Sequence, residues 1–376
     1  MSLCQNQVVQ FEDFPMWAER QYTTAEVDAA GLVLANPAAT NDELDLALPV
    51  VNNWRAAHGF PLNTFQCTLR RKARAVDSQS IVVQRTKRLR AIQHKLQKHT
   101  KNPILLSNMQ DIAGCRAVVR NMAQLEVLKQ RYLKSDIRHT LRQPIDDYIS
   151  KPKYSGYRGI HLIYTYNSDK QTTYNGLKIE VQLRTQLQHA WATAVEIVGF
   201  FRQEFLKSSE GDHVWKHFFK LMAVELAFEE GSALGIPGMP SDRIELHDQL
   251  RRCADKLGAL NYLRVVGQGV TENVIHADTK GAHYFLLELD TVSKQLKVTA
   301  YKLKARERAT MDYAAVERAI FGTDQHDAVL VSAQSMADLR QAYVNYFLDM
   351  HRFIQVVEKA TAVVVRKGKR LVIPRQ

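Results

Sequence analysis

The chain has 376 residues, enough for two or three domains that each bury a core, and a formal net charge of +12 that favours an anionic partner. It holds no stretch of about 18 apolar residues, and its start, MSLCQNQVVQFEDF, lacks the basic and apolar pattern of a leader, so a soluble, cytoplasmic protein is expected. Its cysteines, Cys4, Cys67, Cys115 and Cys253, are scattered without a CxxC pair, which argues against a disulfide framework or structural zinc and for a reducing compartment.

In chain order, residues 1–65 read as mostly helical: FPMWAERQY and LDLALPVVNNWRAAHGFPLN carry apolar residues at spacings of three and four. Residues 70–101 then concentrate eleven Lys and Arg against one acid, Asp77. A nucleotide needs only a few cations, so the surplus suits either a polyphosphate chain such as RNA or a plain solvated helix face. The strand-like ILLSNMQDIAGCRAVV follows, with Asp111 three residues before Gly114 and five before Arg116. Asp111 is placed to hold a hard cation together with substrate phosphate.

Residues 151–161, KPKYSGYRGIH, form a basic loop in which Lys151, Lys153 and Arg158 can meet phosphate oxygens. Gly156 there lets the backbone approach a ligand, and Tyr157 offers a flat face to a base. The strand KIEVQL alternates, so Glu180 and Gln182 share one face while Ile179, Val181 and Leu183 share the other. One face is core and the other is available for chemistry. Strands and helices alternate through about residue 200, as in a mixed sheet with helices packed on it. Helices over HVWKHFFKLMAVELAFEE and DRIELHDQLRRCADKLGALNYL come next, separated by the breaker GSALGIPGMPS.

Beyond residue 270 the pattern changes. GAHYFLLELDTVSKQLKVTAYKL reads as a hairpin turning at TVSK, HDAVLVSA as a further strand, SMADLRQAYVNYFLDMHRFIQVVEKA as helix, and AVVVRKGKRLVIP as a second hairpin. These hundred-odd residues carry no catalytic motif and are assigned by elimination to binding or regulation. The expected fold is α+β, divided into residues 1–265 and a small strand-rich unit over 270–376.

Taken together, DIAGCRAVV, KPKYSGYRGIHLIYTY and KIEVQLRTQLQHAWA, preceded by QRTKRLRAIQHKL, resemble the nucleotidyl pyrophosphotransferase domain of the RelA/SpoT alarmone synthetases. The resemblance spans roughly residues 45–200. It implies an ATP-dependent pyrophosphokinase that moves the β and γ phosphates of ATP, as one pyrophosphate, onto a ribose hydroxyl, with Mg2+ as cofactor. Arg85, Lys87, Lys95 and Arg116 then match the groups that embrace the ATP phosphates, with Arg184 beside them. Asp111 matches the magnesium ligand. Tyr157 matches the tyrosine that stacks on the acceptor base, with Lys151, Lys153, Arg158, His161 and Gln182 around it. Glu180 matches the acid that takes the acceptor proton or holds magnesium. Ser155 and Gly159 depart from the commoner asparagine and serine of the loop and leave the acceptor's identity open.

The synthetase core followed by a short strand-rich unit is also similar to the CapRel type of fused toxin and antitoxin. That resemblance implies a C-terminal domain like a zinc finger without its zinc, and a YxxY element, matched by Tyr343 and Tyr346, that plugs the ATP site. It further implies pyrophosphate transfer to the 3' CCA end of tRNA, which blocks aminoacylation and translation in defence against phage. Release would come from a phage protein such as the major capsid protein, and Arg70, Arg71 and Lys72 are the expected tRNA contacts. The alternative is a small alarmone synthetase making (p)ppGpp or (p)ppApp, with the C-terminal unit as an effector or oligomerisation module.

Overall fold

A computed structural model describes residues 17–98, 104–202, 209–232, 236–267, 271–275, 279–290, 292–321, 323, 325–333, 335–342, 350–362, 365–367 and 370–372. Three helices open it: α1 (Thr24–Ala35), α2 (Asn41–Ala57) and α3 (Gly59–Arg74). Thr23 with Glu26 and Thr40 with Glu43 form reciprocal capping boxes that start α1 and α2 by satisfying otherwise orphaned amides. Then come β1 (Ile81–Thr86), α4 (Leu89–Lys98), β2 (Ala113–Val119), α5 (Met122–Leu133), β3 (Thr140–Leu141), β4 (Asp146–Asp147), β5 (Ile160–Thr165) and β6 (Lys178–Thr185). Helices α6 (Gln186–Arg202), α7 (Ser209–Glu229), α8 (Arg243–Leu257) and α9 (Ala259–Val266) follow. The C-terminal part holds β7 (Thr271–Ile275), β8 (Ala282–Asp290), β9 (Gln295–Lys302), α10 (Arg306–Ala319), β10 (His326–Ser332), α11 (Met336–Ala342), α12 (His351–Thr361), β11 (Val365–Lys367) and β12 (Arg370–Val372).

One mixed sheet runs through nearly all of this in the order β3-β5-β6-β2-β1-β10-β8-β9-β7, with β4 also on β5 and β11–β12 a separate hairpin. Strands β2 and β6 are parallel, while β1, β5 and β10 pair antiparallel with their neighbours. Register decides what each face carries, because a strand alternates sides at every residue. Val82, Cys115, Ala117, Val181, Leu183 and Leu162 turn to one side and share a core with Leu62, Phe65, Leu69 and Ala73 of α3 and Leu125 and Leu128 of α5. The opposite side of the same strands carries Arg85, Gly114, Arg116, Glu180, Gln182 and His161 as cross-strand neighbours. Helices α6 to α9 and α12 build a second core beside that polar face.

The boundary expected near residues 265–270 falls between α9 and β7, yet it is no break in the sheet. Gln84 and Arg85 of β1 pair with Ser332 and Val331 of β10, so the C-terminal strands extend the sheet that bears the polar face. Val83 of β1 sits in a core with Phe285, Leu287, Val298 and Val331. Helix α12 packs away from those strands: Phe353 stacks on Phe219 of α7 with ring centroids 5.8 Å apart. The hairpin over 281–303 and the strand over 326–333 stand where the alternation places them. This sheet extension with its crossing helix gives no support to the finer expectation of a zinc-finger-like form. No described helix is long and apolar enough to cross a membrane.

Candidate active site

The polar face of the sheet and the inner sides of α6 and α7 enclose a cleft of about 780 Å³. Its sheet wall brings together Arg85, Lys87, Asp111, Arg116, Glu180, Gln182 and Arg184, and Tyr157 of the basic loop closes one side. The helical wall is largely apolar, with Trp191, Val195, Trp215 and Phe219, and carries Lys216 and Lys220. The cleft therefore has a charged floor and a greasy wall, the division expected where phosphates lie beside a base.

On the floor, five side chains form a closed hydrogen-bonded ring. Glu180 Oε1 lies 2.7 Å from His161 Nδ1, and His161 Nε2 lies 2.6 Å from the Tyr157 hydroxyl. That hydroxyl accepts from Arg184 Nε and Nη2 at 3.2 and 2.9 Å. Arg184 Nη2 also donates to Gln182 Oε1 at 3.1 Å, and Gln182 Nε2 donates to Glu180 Oε2 at 2.6 Å. One assignment satisfies every member: Arg184 donates to Tyr157, Tyr157 to His161 Nε2, and His161 Nδ1–H to Glu180. Each Glu180 oxygen then keeps an acceptor position for a further proton donor. Burial raises the Glu180 pKa and the charge of Asp111 does the same, but the His161 and Gln182 hydrogen bonds outweigh both and hold it below the usual value. Glu180 is ionised at neutral pH.

Asp111 lies between two ammonium groups, Lys87 Nζ at 2.8 Å from Oδ2 and Lys95 Nζ at 2.8 Å from Oδ1. These overcome its burial and keep its pKa below the ordinary carboxylate range. Gly114 leaves little room for a side chain beside Glu180: a Cβ there would come 3.1 Å from the Glu180 carbonyl oxygen. Among the described residues no three His, Cys, Asp or Glu side chains converge on one point. Asp111 and Glu180 still fit magnesium, which takes one or two carboxylates and completes its shell with water and substrate phosphate.

Several expected site residues lie elsewhere. Arg158 is 3% exposed and turned out of the cleft, paired at 2.5 Å with Glu230 and bonded to Ser232 at the end of α7. It is a structural ion pair, because burying a guanidinium requires a partner. Gly156, at φ +93°, serves packing on α7 rather than ligand approach, since a Cβ there would lie 2.7 Å from Ala223 Cβ. Lys153 stands over the rings of Tyr148 and Tyr157, at 4.2 and 5.3 Å from their centroids, while Lys151 is exposed on the loop.

Arg70, Arg71 and Lys72 sit on α3, which covers the opposite face of the sheet. Lys72 ties α3 to α5, donating to the Arg131 carbonyl and the Ser135 hydroxyl at 2.9 Å each. That trio is remote from the cleft. Tyr343 and Tyr346 lie outside the described residues.

Other cleft residues had not been singled out. Glu196 of α6 lines the cleft 3.5 Å from Arg88. Desolvation by the cleft walls opposes its ionisation, although its side chain is 45% exposed, and Arg85, Arg88, Arg116 and Arg184 outweigh this and lower its pKa. Ala192, Val195, Glu196 and Gly199 share the cleft side of α6 at helical spacing, a signal present in the sequence. At the mouth, Lys220 Nζ stands 3.4 Å from the ring centroid of Tyr154.

Residues 84–198 match the family described as the region found in RelA / SpoT proteins. Over 112 residues the chain is 30% identical to the GTP pyrophosphokinase YjbM of Bacillus subtilis strain 168, an overlap of 29% of this chain and 52% of that protein. The chain thus spans about half the length of this curated relative. Among solved structures it is similar to the small alarmone synthetase 1 of Bacillus subtilis bound to its product pppGpp. The identity is 24%, the overlap 46% of this chain and 88% of that one, and the TM-score 0.36. A GTP pyrophosphokinase family protein from Streptococcus pneumoniae gives 24% identity, 46% and 86% coverage and a TM-score of 0.37. Residues 84–198, the stretch that matches this family, carry the hydrogen-bonded ring, Asp111 with its lysines and Glu196.

Proposed function

We propose that the chain is an ATP-dependent pyrophosphotransferase whose acceptor is the ribose hydroxyl of a purine nucleotide. The observation that carries this reading is Glu180, held by the ring on a floor it shares with Asp111, Arg85, Lys87, Arg116 and Arg184, beside Tyr157. Transfer of this kind needs positioning and charge neutralisation more than covalent catalysis. Arg85, Lys87 and Arg116 take the β and γ phosphates, and Tyr157 stacks on the acceptor base. Glu180 accepts the hydroxyl proton, the acceptor oxygen bonds the β phosphorus, and the bond from that phosphorus to the AMP oxygen breaks. Magnesium on Asp111, with or without Glu180, supplies charge neutralisation for the phosphates.

The match to a GTP pyrophosphokinase supports a free guanosine nucleotide as acceptor, and hence alarmone synthesis. A second reading, transfer to the 3' CCA end of tRNA by a phage-triggered toxin, draws on the cations at the mouth, Lys153, Lys216 and Lys220, which would follow phosphates leaving the cleft. Arg70, Arg71 and Lys72 lie on the helix that covers the other face of the sheet. Incubation with γ-labelled ATP, GDP, GTP, ATP as acceptor and total tRNA separates the readings by where label lands. Label on guanosine nucleotides supports alarmone synthesis, label on tRNA supports the second reading, and label on none of them contradicts the proposal.

A further inference from the structure

The turn from β1 into α4 carries Lys87 and leads to Lys95, and the C-terminal part of the chain holds it at consecutive residues. Glu317 of α10 is 7% exposed and binds Arg55 of α2 in a two-pronged pair at 2.6 and 3.2 Å. Its Oε1 also accepts the backbone N–H of Leu89, the first residue of α4, at 2.9 Å, and the Tyr313 hydroxyl at 2.7 Å. A carboxylate at a helix start satisfies an orphaned amide and opposes the helix dipole. Arg55 Nε donates to the Lys87 carbonyl at 3.0 Å, so the two members of the pair grip the turn on either side of Arg88. Arg88 is itself bound to Asp327 of β10, and Arg90 Nη1 donates to the Thr323 carbonyl at 3.0 Å. Antiparallel pairing of β1 with β10 begins at Arg85, just before the turn.

Resting on the pyrophosphotransferase reading, we propose that Glu317, through Arg55 and the start of α4, is a positioning residue for the donor phosphates, which makes the C-terminal part a component of the ATP site. Glu317 touches no substrate. It sets where the Lys87 and Lys95 ammonium groups stand, and misplacing such groups by about 1 Å can cost on the order of 100-fold. The C-terminal part makes polar contacts at three consecutive residues, 88, 89 and 90, and the buried one, Leu89 N–H to Glu317, falls at the start of α4. The same arrangement lets any ligand that shifts α10 act on the donor side, since these hydrogen bonds are made to the turn and not to the members of the ring around Glu180.

The test uses the full chain with Arg55→Met and Glu317→Met combined, which removes both charges and leaves neither orphaned, alongside Glu317→Gln, which keeps an acceptor for Leu89. Hydrogen exchange of the amides of residues 89–92 reads the turn. Binding of a non-hydrolysable ATP analogue with Mg2+ reads the donor site, and the KM for the acceptor reads the rest. In the folded double variant, exchange at 89–92 should quicken selectively, the ATP-analogue Kd should rise about 100-fold, and the acceptor KM should hold. Glu317→Gln should recover most of the affinity. Unchanged exchange and unchanged ATP affinity in a folded double variant would overturn the proposal. A wild-type protein that binds no ATP analogue would overturn the pyrophosphotransferase reading instead, and the exchange pattern alone then decides whether Glu317 fixes the turn.

Discussion

The two halves of the cleft are built by different means. The half proposed for the acceptor is local: its ring comes from Tyr157, His161, Glu180, Gln182 and Arg184, within 28 residues of sequence on adjacent strands and the loop that feeds them. The half proposed for the donor is distributed: the turn bearing Lys87 is fixed by Arg55 from one direction and by Glu317 and Asp327, more than 220 positions later, from the other. A local site keeps its geometry as long as its hairpin folds. A distributed one depends on long-range docking and is open to control through it.

The sharpest break of this contrast is in the acceptor half. Glu180→Gln keeps the ring's volume but cannot take a proton, so transfer should fall by about 10² to 10⁴, with melting temperature and ATP binding little changed. Wild-type rates in this variant would remove Glu180 from the chemistry. The counterpart on the donor side is a stability effect. Arg55→Ala alone leaves Glu317 buried without its partner and should cost about 3 to 5 kcal/mol, measured by urea unfolding, where an equivalent loss from Lys153→Ala on the exposed acceptor loop is not expected.

A pH titration of stability probes the helical layer behind both halves. His58 is 1% exposed, its Nδ1–H donates to the Trp54 carbonyl 2.7 Å away, and burial takes its pKa down to about 4. Its folded-state pKa is depressed, so the neutral form is favoured in the fold. Its contribution is complete above pH 6.5 and lost as pH falls toward 4, a total of roughly 3 kcal/mol at 1.36 kcal/mol per unit. His58→Gln should flatten that stretch of the stability curve. If the slope between pH 6.5 and 4 is the same in the variant, other groups carry it. Asp111 and Glu180, both lowered, add their own losses only below the ordinary carboxylate range.

The smallest effect sharpens the ring. Stacking alone lets Tyr157→Phe behave as wild type while Tyr157→Ala loses about 1 to 3 kcal/mol of acceptor binding. The ring makes a different demand, because the hydroxyl joins Arg184 to His161. Tyr157→Phe should therefore keep the acceptor KM and lower kcat, a split that stacking by itself does not produce.

Much of the acceptor half was legible because alternation along KIEVQL assigns faces without any knowledge of partners, and the motif residues fall on the face so assigned. Arg158 shows the limit of that reading. In the loop it looks like a phosphate clamp, and only the fold reveals Glu230, 72 residues on, taking its charge. Lys72 likewise has its partners on the last turn of α5 and just beyond it. The strand over 326–333 was readable as a strand, but its pairing with β1 was not, since period-two alternation says nothing about which edge a strand joins. Glu196 lies beyond the strand motif, and its only signal in the sequence is the helical spacing it shares with Ala192, Val195 and Gly199 on α6.

The most direct test of the whole account is product stoichiometry in a single turnover with ATP labelled in both the β and γ phosphates. Pyrophosphate transfer predicts one AMP for each acceptor molecule, with both labels on the acceptor and none of this from Glu180→Gln. ADP together with an acceptor carrying the γ label alone would make the chain an ordinary kinase and contradict the central claim.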